Sequence, residues 1–290
     1  MLGLITELAR AGGRIAREHF AGVKDLDIAV KASRDYVSHV DRLIEAELIR
    51  RIHARHPEHA VLAEEQSPGT IRAEDWQPHI PLWIIDPLDG TTNYIHGIPH
   101  FAISIAFVEL GQVRYGAVYN PVSDELFTAE RGGGLWLNGQ RRHASSCRHL
   151  EQALIATALP FRFPEALDDA VRVFAELQRR CDDQRRSGSA ALDLAFVAVG
   201  RLDAYYELGV HPWDIAAGSL LVRSGGGLAS DYTGDSEHLL AHRSVVAAAT
   251  AELQAALLAA VVPLHPWLAR LPCPRPRPVP AQPPGSGASR

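Results

Sequence analysis

Trp83-Ile-Ile-Asp-Pro-Leu-Asp-Gly-Thr-Thr-Asn93 decides how the rest of the chain is read. It begins inside an apolar run, Leu82 to Ile85, that has the length and composition of a buried strand. Pro87 and Gly90 interrupt strands, so a tight turn is expected directly after the run. Asp86 and Asp89 stand three residues apart in that turn, where some backbone carbonyls have no ladder partner. Carboxylate and carbonyl oxygens are the donors that a hard divalent cation such as Mg²⁺ takes. Gly90, Thr91 and Thr92 follow with N–H groups and hydroxyls, and a helix starting here would seat a phosphate. An acidic surface turn uses the same residue types, so this stretch alone leaves both readings open.

Upstream, Met1 to Phe20 mixes charges at Glu7, Arg10, Arg14, Arg17 and Glu18 into an apolar pattern. That is an amphipathic helix, roughly Leu2 to Phe20, and not a signal peptide. A second helical pattern opens over Lys31 to Asp41, and Ile44, Leu48 and Ile52 give it one buried face. Arg50, Arg51 and Arg55 occupy the other face, with His53, His56 and His59 nearby. Pro57 breaks any helix between those histidines, which sets a metal role for them aside in favour of a solvated face. Val61 to Glu65 reads as a strand end running into a loop.

Downstream, Phe101–Glu109, Val113–Asn120 and Glu125–Ala129 are strands rich in β-branched and aromatic residues. Gly111-Gln112 and Pro121 to Asp124 are their turns, and Asn138-Gly139 is a hairpin signal. Gly132-Gly-Gly134 lacks the spacing of a nucleotide loop. From about residue 150 elements alternate: strand 153–158, helix 165–180, small-residue helix 189–199, strand 202–208, helix 213–223, strand 245–249 and a last helix capped by Thr250. This divides the chain into an N-terminal half (1–145) carrying the metal turn, a C-terminal half (146–270), and a Pro-rich tail (271–290) expected to be disordered.

The 290 residues carry 47% hydrophobic and 22% charged side chains, enough for a sizeable core. A net charge of −5 argues against a dedicated nucleic-acid binder. Three Cys without Cys-x-x-Cys spacing fit a reducing compartment, and a cytoplasmic protein is the expectation. The longest stretch free of Asp, Glu, Lys and Arg, Leu253–Ala269, contains Pro263 and Pro266 and reads as a buried terminal helix, not a membrane span.

Two further acidic places stand where a strand gives way to a turn or a helix begins: Glu64-Glu65, and Glu207 with Trp213-Asp214 after Pro212. Taken singly, these are a solvated pair and a capped helix start. Together with the central turn they resemble the inositol monophosphatase family, in order and spacing, from about residue 5 to 265. Asp86-Pro-Leu-Asp-Gly-Thr-Thr-Asn93 matches its first signature and Trp213-Asp-Ile-Ala-Ala-Gly218 its second. Lys31, Asp35, Ser38, Asp41 and Arg185-Arg-Ser-Gly-Ser-Ala-Ala191 add supporting matches.

The resemblance implies an α+β fold, a layered αβαβα sandwich of the sugar-phosphatase type, in a homodimer. It implies phosphomonoester hydrolysis with two to three Mg²⁺ ions per site, inhibited by Li⁺. It makes Glu64, Asp86 and the Leu88 carbonyl ligands of one metal, and Asp86, Asp89 and Asp214 ligands of a second. Glu64 also reaches a third site. Thr91 and Asp41 orient the attacking water, and the backbone of Gly90 and Thr91 grips the phosphate. Gly188, Ser189, Ala190 and Glu207 line the substrate's sugar or cyclitol side. Arg186 and Ser187 receive no role.

The chemistry stands without the family. A phosphate dianion repels a nucleophile, cations neutralise it, and a metal lowers the pKa of water so that hydroxide exists near neutral pH. Positioning and charge dominate phosphoryl transfer, so no nucleophilic Ser or Cys is needed. Inositol 1-phosphate or a similar polyol phosphate is the expected substrate, Glu207 accepting from ring hydroxyls. Fructose 1,6-bisphosphate, histidinol phosphate and nucleotide phosphates are the alternatives on the same fold. The alternative of another class is a regulatory protein bound to transcription machinery through Arg50, Arg51 and Arg55, which ranks below a solvated face.

Overall fold

The computed structural model describes residues 1–20, 28–32, 35–161 and 163–271, with 28–32 and 35–38 by backbone alone. The expected tail, from Pro272 onward, lies outside the described residues.

Helix α1 (Leu2–Phe20) buries Ile5, Leu8, Ala9 and Ala16. The expected helical opening at Lys31 is corrected. Strands β1 (Ile28–Ala32) and β2 (Asp35–Ser38) pair antiparallel, and α2 (His39–His53) begins only after them. Val30, Tyr36 and Val37 are strand formers, which explains why the hairpin wins there. Both α1 and α2 lie on one face of a seven-stranded sheet.

That sheet runs in the order β3 (Ala60–Ala63), β4 (Leu82–Asp89), β5 (Ala102–Glu109), β6 (Gln112–Asn120), β7 (Glu125–Glu130), β8 (Gly134–Leu137), β9 (Gln140–Arg142). β3 and β4 are parallel and the remaining pairs antiparallel. Gln112 belongs to β6, so the expected turn there moves one residue back to Leu110-Gly111, both at positive φ.

The turn expected at Pro87 is also corrected, because β4 continues through it to Asp89. Asp86 opposes Ser104 and Asp89 opposes Ala102, so three steps along β4 match two along β5. One extra residue is accommodated as a bulge, and proline, having no N–H to pair, is tolerated there. Gly90 then turns the chain at φ 97°, a conformation glycine adopts without Cβ strain, and α3 (Thr91–Ile95) follows.

The second sheet has five strands in the order β11 (Asp183–Arg185), β10 (Leu154–Thr157), β12 (Ala204–Leu208), β14 (Ser244–Ala248), β13 (Leu228–Ser230). β10 is parallel to both neighbours, and β14 antiparallel to both of its own. Helices α5 (Ala190–Ala198) and α6 (Pro212–Ser224) fill the layer between the sheets. Small residues make that layer thin: a Cβ on Gly218 would come within 2.6 Å of Leu194. α4 (Leu167–Gln178) and α7 (Ala251–Ala260) cover the outer face of the second sheet. Three apolar cores therefore separate five layers, an αβαβα sandwich. Thr250 caps α7, accepting from the Leu253 N–H at 3.4 Å. After α7 the chain bends by 49° into α8 (His265–Leu268). Among the described residues no single helix is long and apolar enough to cross a membrane, and this bent pair alone passes on length and composition.

Candidate metal and phosphate site

The end of β4, the start of α6 and the segment before α5 meet at a cavity of about 440 Å³. Glu64, Asp86, Leu88 and Asp89 line it from the first sheet, and Glu207 and Asp214 from the second half of the chain. Gly90 and Thr91 form its floor, and Gly188, Ser189 and Ala190 a wall. Asp41 does not reach the cavity. It is fully buried behind Thr91, whose hydroxyl lies 3.0 Å from its Oδ1 and 3.1 Å from the Leu88 carbonyl. One hydroxyl proton serves two acceptors, and the carboxylate is the stronger.

Asp86 and Asp89 are not a surface turn: 1% and 8% of their surfaces are exposed. Asp86 accepts from the Leu88 N–H at 2.9 Å. Asp89 Oδ2 accepts from the Ser189 hydroxyl and from the Ala191 N–H at 2.8 Å. Asp214 lies in the first turn of α6 and accepts from the His211 N–H at 2.7 Å. Burial, and then the negative charges of Glu64, Asp89 and Asp214, push the Asp86 carboxyl well above the usual range. Burial raises Asp89 to about 7 against its two hydrogen bonds, with Glu207 and Glu64 adding to the rise. Crowded carboxylates in a poorly solvated place disfavour one another's charge, and a cation among them would reverse that preference.

The donor set tests whether Mg²⁺ fits. It is all oxygen, from Glu64, Asp86, Asp89, Asp214 and the Leu88 carbonyl, and the mutual repulsion felt at Asp86 is one that a cation would relieve. The Leu88 carbonyl keeps a second lone pair beside its bond with Thr91. The residues fit.

Ser189 lines the cavity and has a further part there. It is 1% exposed, its hydroxyl donates to Asp89, and it caps α5 by accepting from Leu192 N–H. It therefore also positions a carboxylate. Arg186 and Ser187, given no role, do line the cavity.

Four supporting residues escaped the sequence reading. Glu45, fully buried on α2, accepts from the N–H groups of Glu65 (2.8 Å) and Ser67 (2.7 Å) and so fixes the loop that presents Glu64. Its signal was a charge inside the apolar stripe of Ile44, Leu48 and Ile52. Asn93 donates to the carbonyls of His100 (2.8 Å) and Ser187 (2.9 Å), which ties α3 to the wall before α5. Asp193 accepts from the Ser187 hydroxyl at 2.6 Å, and burial holds its carboxyl well above the usual range. Tyr205, fully buried, donates to Glu207.

The basic face is solvated as expected at Arg50 and Arg55, and its charges are also paired. Arg51 and Arg55 reach Glu7 on α1 at 3.3 and 3.0 Å, and Arg50 and Arg51 share Glu47. His56, Glu58 and His59 do gather their side chains, despite Pro57. The Trp83 indole N–H donates to His59 Nδ1 at 3.1 Å, which leaves the ring proton on Nε2 facing Glu58 at 3.4 Å. A cation on Nε2 would have to displace that proton, so the geometry suits a neutral imidazole bridging two partners.

A sequence profile described as "Inositol monophosphatase family" matches residues 1–265. The protein named Nus factor SuhB of Escherichia coli (strain K12) is 41% identical over 240 residues, covering 83% of this chain and 88% of that protein. The crystal structure of extragenic suppressor protein suhB from Bartonella henselae superposes with a TM-score of 0.83 at 36% identity, covering 90% of this chain and 97% of the other. Inositol monophosphatase from Anabaena (Nostoc) sp. PCC 7120 gives 0.76 at 31%, covering 94% and 96%.

Proposed function

The chain belongs to the inositol monophosphatase family, and from that premise we propose that it is a Mg²⁺-dependent phosphomonoesterase for inositol 1-phosphate or a similar small polyol phosphate. One observation carries the reading: four carboxylates and a carbonyl from segments 150 residues apart line one cavity, where burial and mutual repulsion raise Asp86 and Asp89 above the usual carboxylate range.

In this reading Glu64, Asp86, Leu88, Asp89 and Asp214 hold two or three Mg²⁺ ions, which supply charge neutralisation and water of lowered pKa. The Thr91 hydroxyl, with its proton directed to Asp41, turns a lone pair toward the attacking water and accepts from it. The backbone at Gly90–Thr91 receives the phosphoryl oxygens. Glu207, oriented by Tyr205, accepts from hydroxyls of the leaving alcohol, while Gly188 and Ala190 leave room for the ring. Water oxygen bonds to phosphorus, the ester P–O bond breaks, and the alcohol leaves with a proton. Li⁺ inhibition, a homodimer and a cytoplasmic setting belong to the same proposal.

A second reading, association with transcription machinery, takes its support from relatives named Nus factor. Arg50, Arg51 and Arg55 offer it little, being engaged with Glu7 and Glu47.

The test is phosphate release with Mg²⁺ from inositol 1-phosphate, fructose 1,6-bisphosphate, histidinol phosphate and a 3′-phosphoadenosine nucleotide. Inositol 1-phosphate should be preferred, and Glu207→Gln should lose more on it than on an aryl phosphate. No turnover on any member sinks the enzyme reading, and a nucleotide preference sinks the substrate class.

A further inference from the structure

A second cavity, also about 440 Å³, lies at the far end of α6 and has the opposite charge. Arg131 follows β7, Arg141 lies on β9, and Arg223 is in the last turn of α6. All three line the cavity, and Glu237 is its one carboxylate. That leaves a formal surplus of two positive charges in a chain whose net charge is −5.

Among the described residues, no carboxylate lies within ion-pair distance of Arg131, Arg141 or Arg223, whereas Arg10, Arg50, Arg51, Arg55 and Arg201 each have one. Arg223 is half-buried and uses one nitrogen, NH2, on the carbonyls of Ala229 (2.9 Å) and Ser236 (2.7 Å). Its Nε and NH1 have no such acceptor among the described residues. Burial, and then the charge of Arg131, lower its pKa, against an opposite pull from Glu237.

Gly132 and Gly134 take φ of 77° and 120°, so the turn after Arg131 is one that glycine adopts without Cβ strain. Gly134 lies beside the Arg141 guanidinium, at an ordinary contact distance of 3.5 Å for a Cβ built there.

We propose that this cavity binds a phosphate group of a small phosphorylated molecule. Guanidinium forks match phosphate oxygens two at a time. Two or more converging forks with two surplus charges suit a dianion better than a single carboxylate. The volume falls within the range of about 300–1,000 Å³ typical of ligand sites, so more than bare phosphate fits. Leu220 is the only apolar side chain in the lining, which favours a sugar or polyol body over an aromatic one. The ligand must be held by side chains, because the helix end here presents carbonyls and a partial negative charge. This proposal does not rest on the phosphatase reading.

The experiment is a thermal melt of the full chain in EDTA with inorganic phosphate or pyrophosphate, against NaCl at matched ionic strength. EDTA removes any cation that could hold an anion among the carboxylates of the first cavity, so the second cavity is the one reported. At ten-fold saturation, the melting temperature should rise by about 2–3 °C over the NaCl control. Arg131→Gln/Arg141→Gln should lose that rise, and Asp214→Asn should keep all of it. If the double Gln variant folds poorly, Arg131→Lys/Arg141→Lys takes its place: charge is kept, the fork is lost, and the rise should fall by at least half. A rise equal to that in NaCl, a rise surviving both double variants, or a response to an RNA oligonucleotide without one to pyrophosphate overturns the proposal.

Discussion

The two ends of α6 carry opposite charges for a shared physical reason and solve the resulting problem differently. At the N-terminus Asp214 meets the positive end of the helix dipole, and at the C-terminus Arg223 meets the negative end. Each then meets its own kind: Asp214 with Glu64 and Asp89 raises Asp86, and Arg131 acts on Arg223. The carboxylates can be buried because a proton can neutralise them, and Asp86 and Asp89 respond that way. A guanidinium in a protein does not give up its proton, so Arg131 and Arg141 stay exposed to water and salt. In the two proposals, the buried end takes a cation and the open end takes an anion.

The sharpest break is at the acidic end. Asp89→Asn is nearly isosteric and removes one charge from the metal-holding set. Phosphate release at limiting Mg²⁺ should fall by about three orders of magnitude or more, because cations supply most of the charge neutralisation. In EDTA at pH 8 the variant should melt higher than the parent, since one repelling charge is gone. Near-normal turnover would break the comparison at its first term.

Next comes the scaffold of that end. Glu45→Ala removes the acceptor of the Glu65 and Ser67 N–H groups and opens a void on α2. The loss should be about 2–4 kcal/mol by denaturant titration, at roughly 1–3 kcal/mol for each buried group left unpaired. A smaller loss, under about 1 kcal/mol, would mean that water replaces the carboxylate and that Glu64 is held by its strand alone.

How much of this was legible depends on the range of the interactions. The apolar run at Leu82–Ile85 and the four-residue spacing of Ile44, Leu48 and Ile52 are local signals, and strand β4 and helix α2 stand there. The family resemblance adds the layers and brings forward the residues that line the acidic cavity. Strands β11 and β13 were missed because Asp183-Gln-Arg185 has no apolar residue and Leu228-Ala-Ser230 is three residues long. Only pairing with β10 and β14 makes them strands. Pro87 misled because a bulge, set by β5, absorbs it. The basic cavity was invisible for a similar reason: Arg131, Arg141 and Arg223 are single charges until β7, β9 and α6 converge.

The third prediction uses the proton as a substitute cation. In metal-free protein Asp89 titrates at about 7, against 3.8 as the ordinary value, and Asp86 is also raised. Between those values the folded state binds more protons than the unfolded chain. The associated stability is therefore fully present below about pH 4 and lost as pH rises through about 7. Mg²⁺ must expel the same protons, so its affinity should climb with pH up to about 8 and then level off. Melts in EDTA and calorimetric Mg²⁺ titrations at pH 5, 6, 7 and 8 measure both, and Asp89→Asn should flatten each profile. A Mg²⁺ affinity independent of pH would show that the carboxylates are already ionised and the burial argument wrong.

The smallest effect belongs to the basic end. With no anion present, Arg131 repels Arg223, and removing it should relieve that repulsion. Arg131 is exposed, so water screens most of the interaction and the gain is of the size of a like-charge pair on a helix surface. Arg131→Gln should therefore melt roughly 1 °C above the parent in chloride at low ionic strength. The difference should vanish near 0.5 M NaCl, where the screening length drops to about 4 Å. The acidic end should behave otherwise, because buried charges are screened far less and the Asp89→Asn gain in EDTA should persist in the same salt. If salt erased both gains alike, the two ends would be equally exposed. If Arg131→Gln melted lower at every salt concentration, its guanidinium would be a packing element and not a surplus charge.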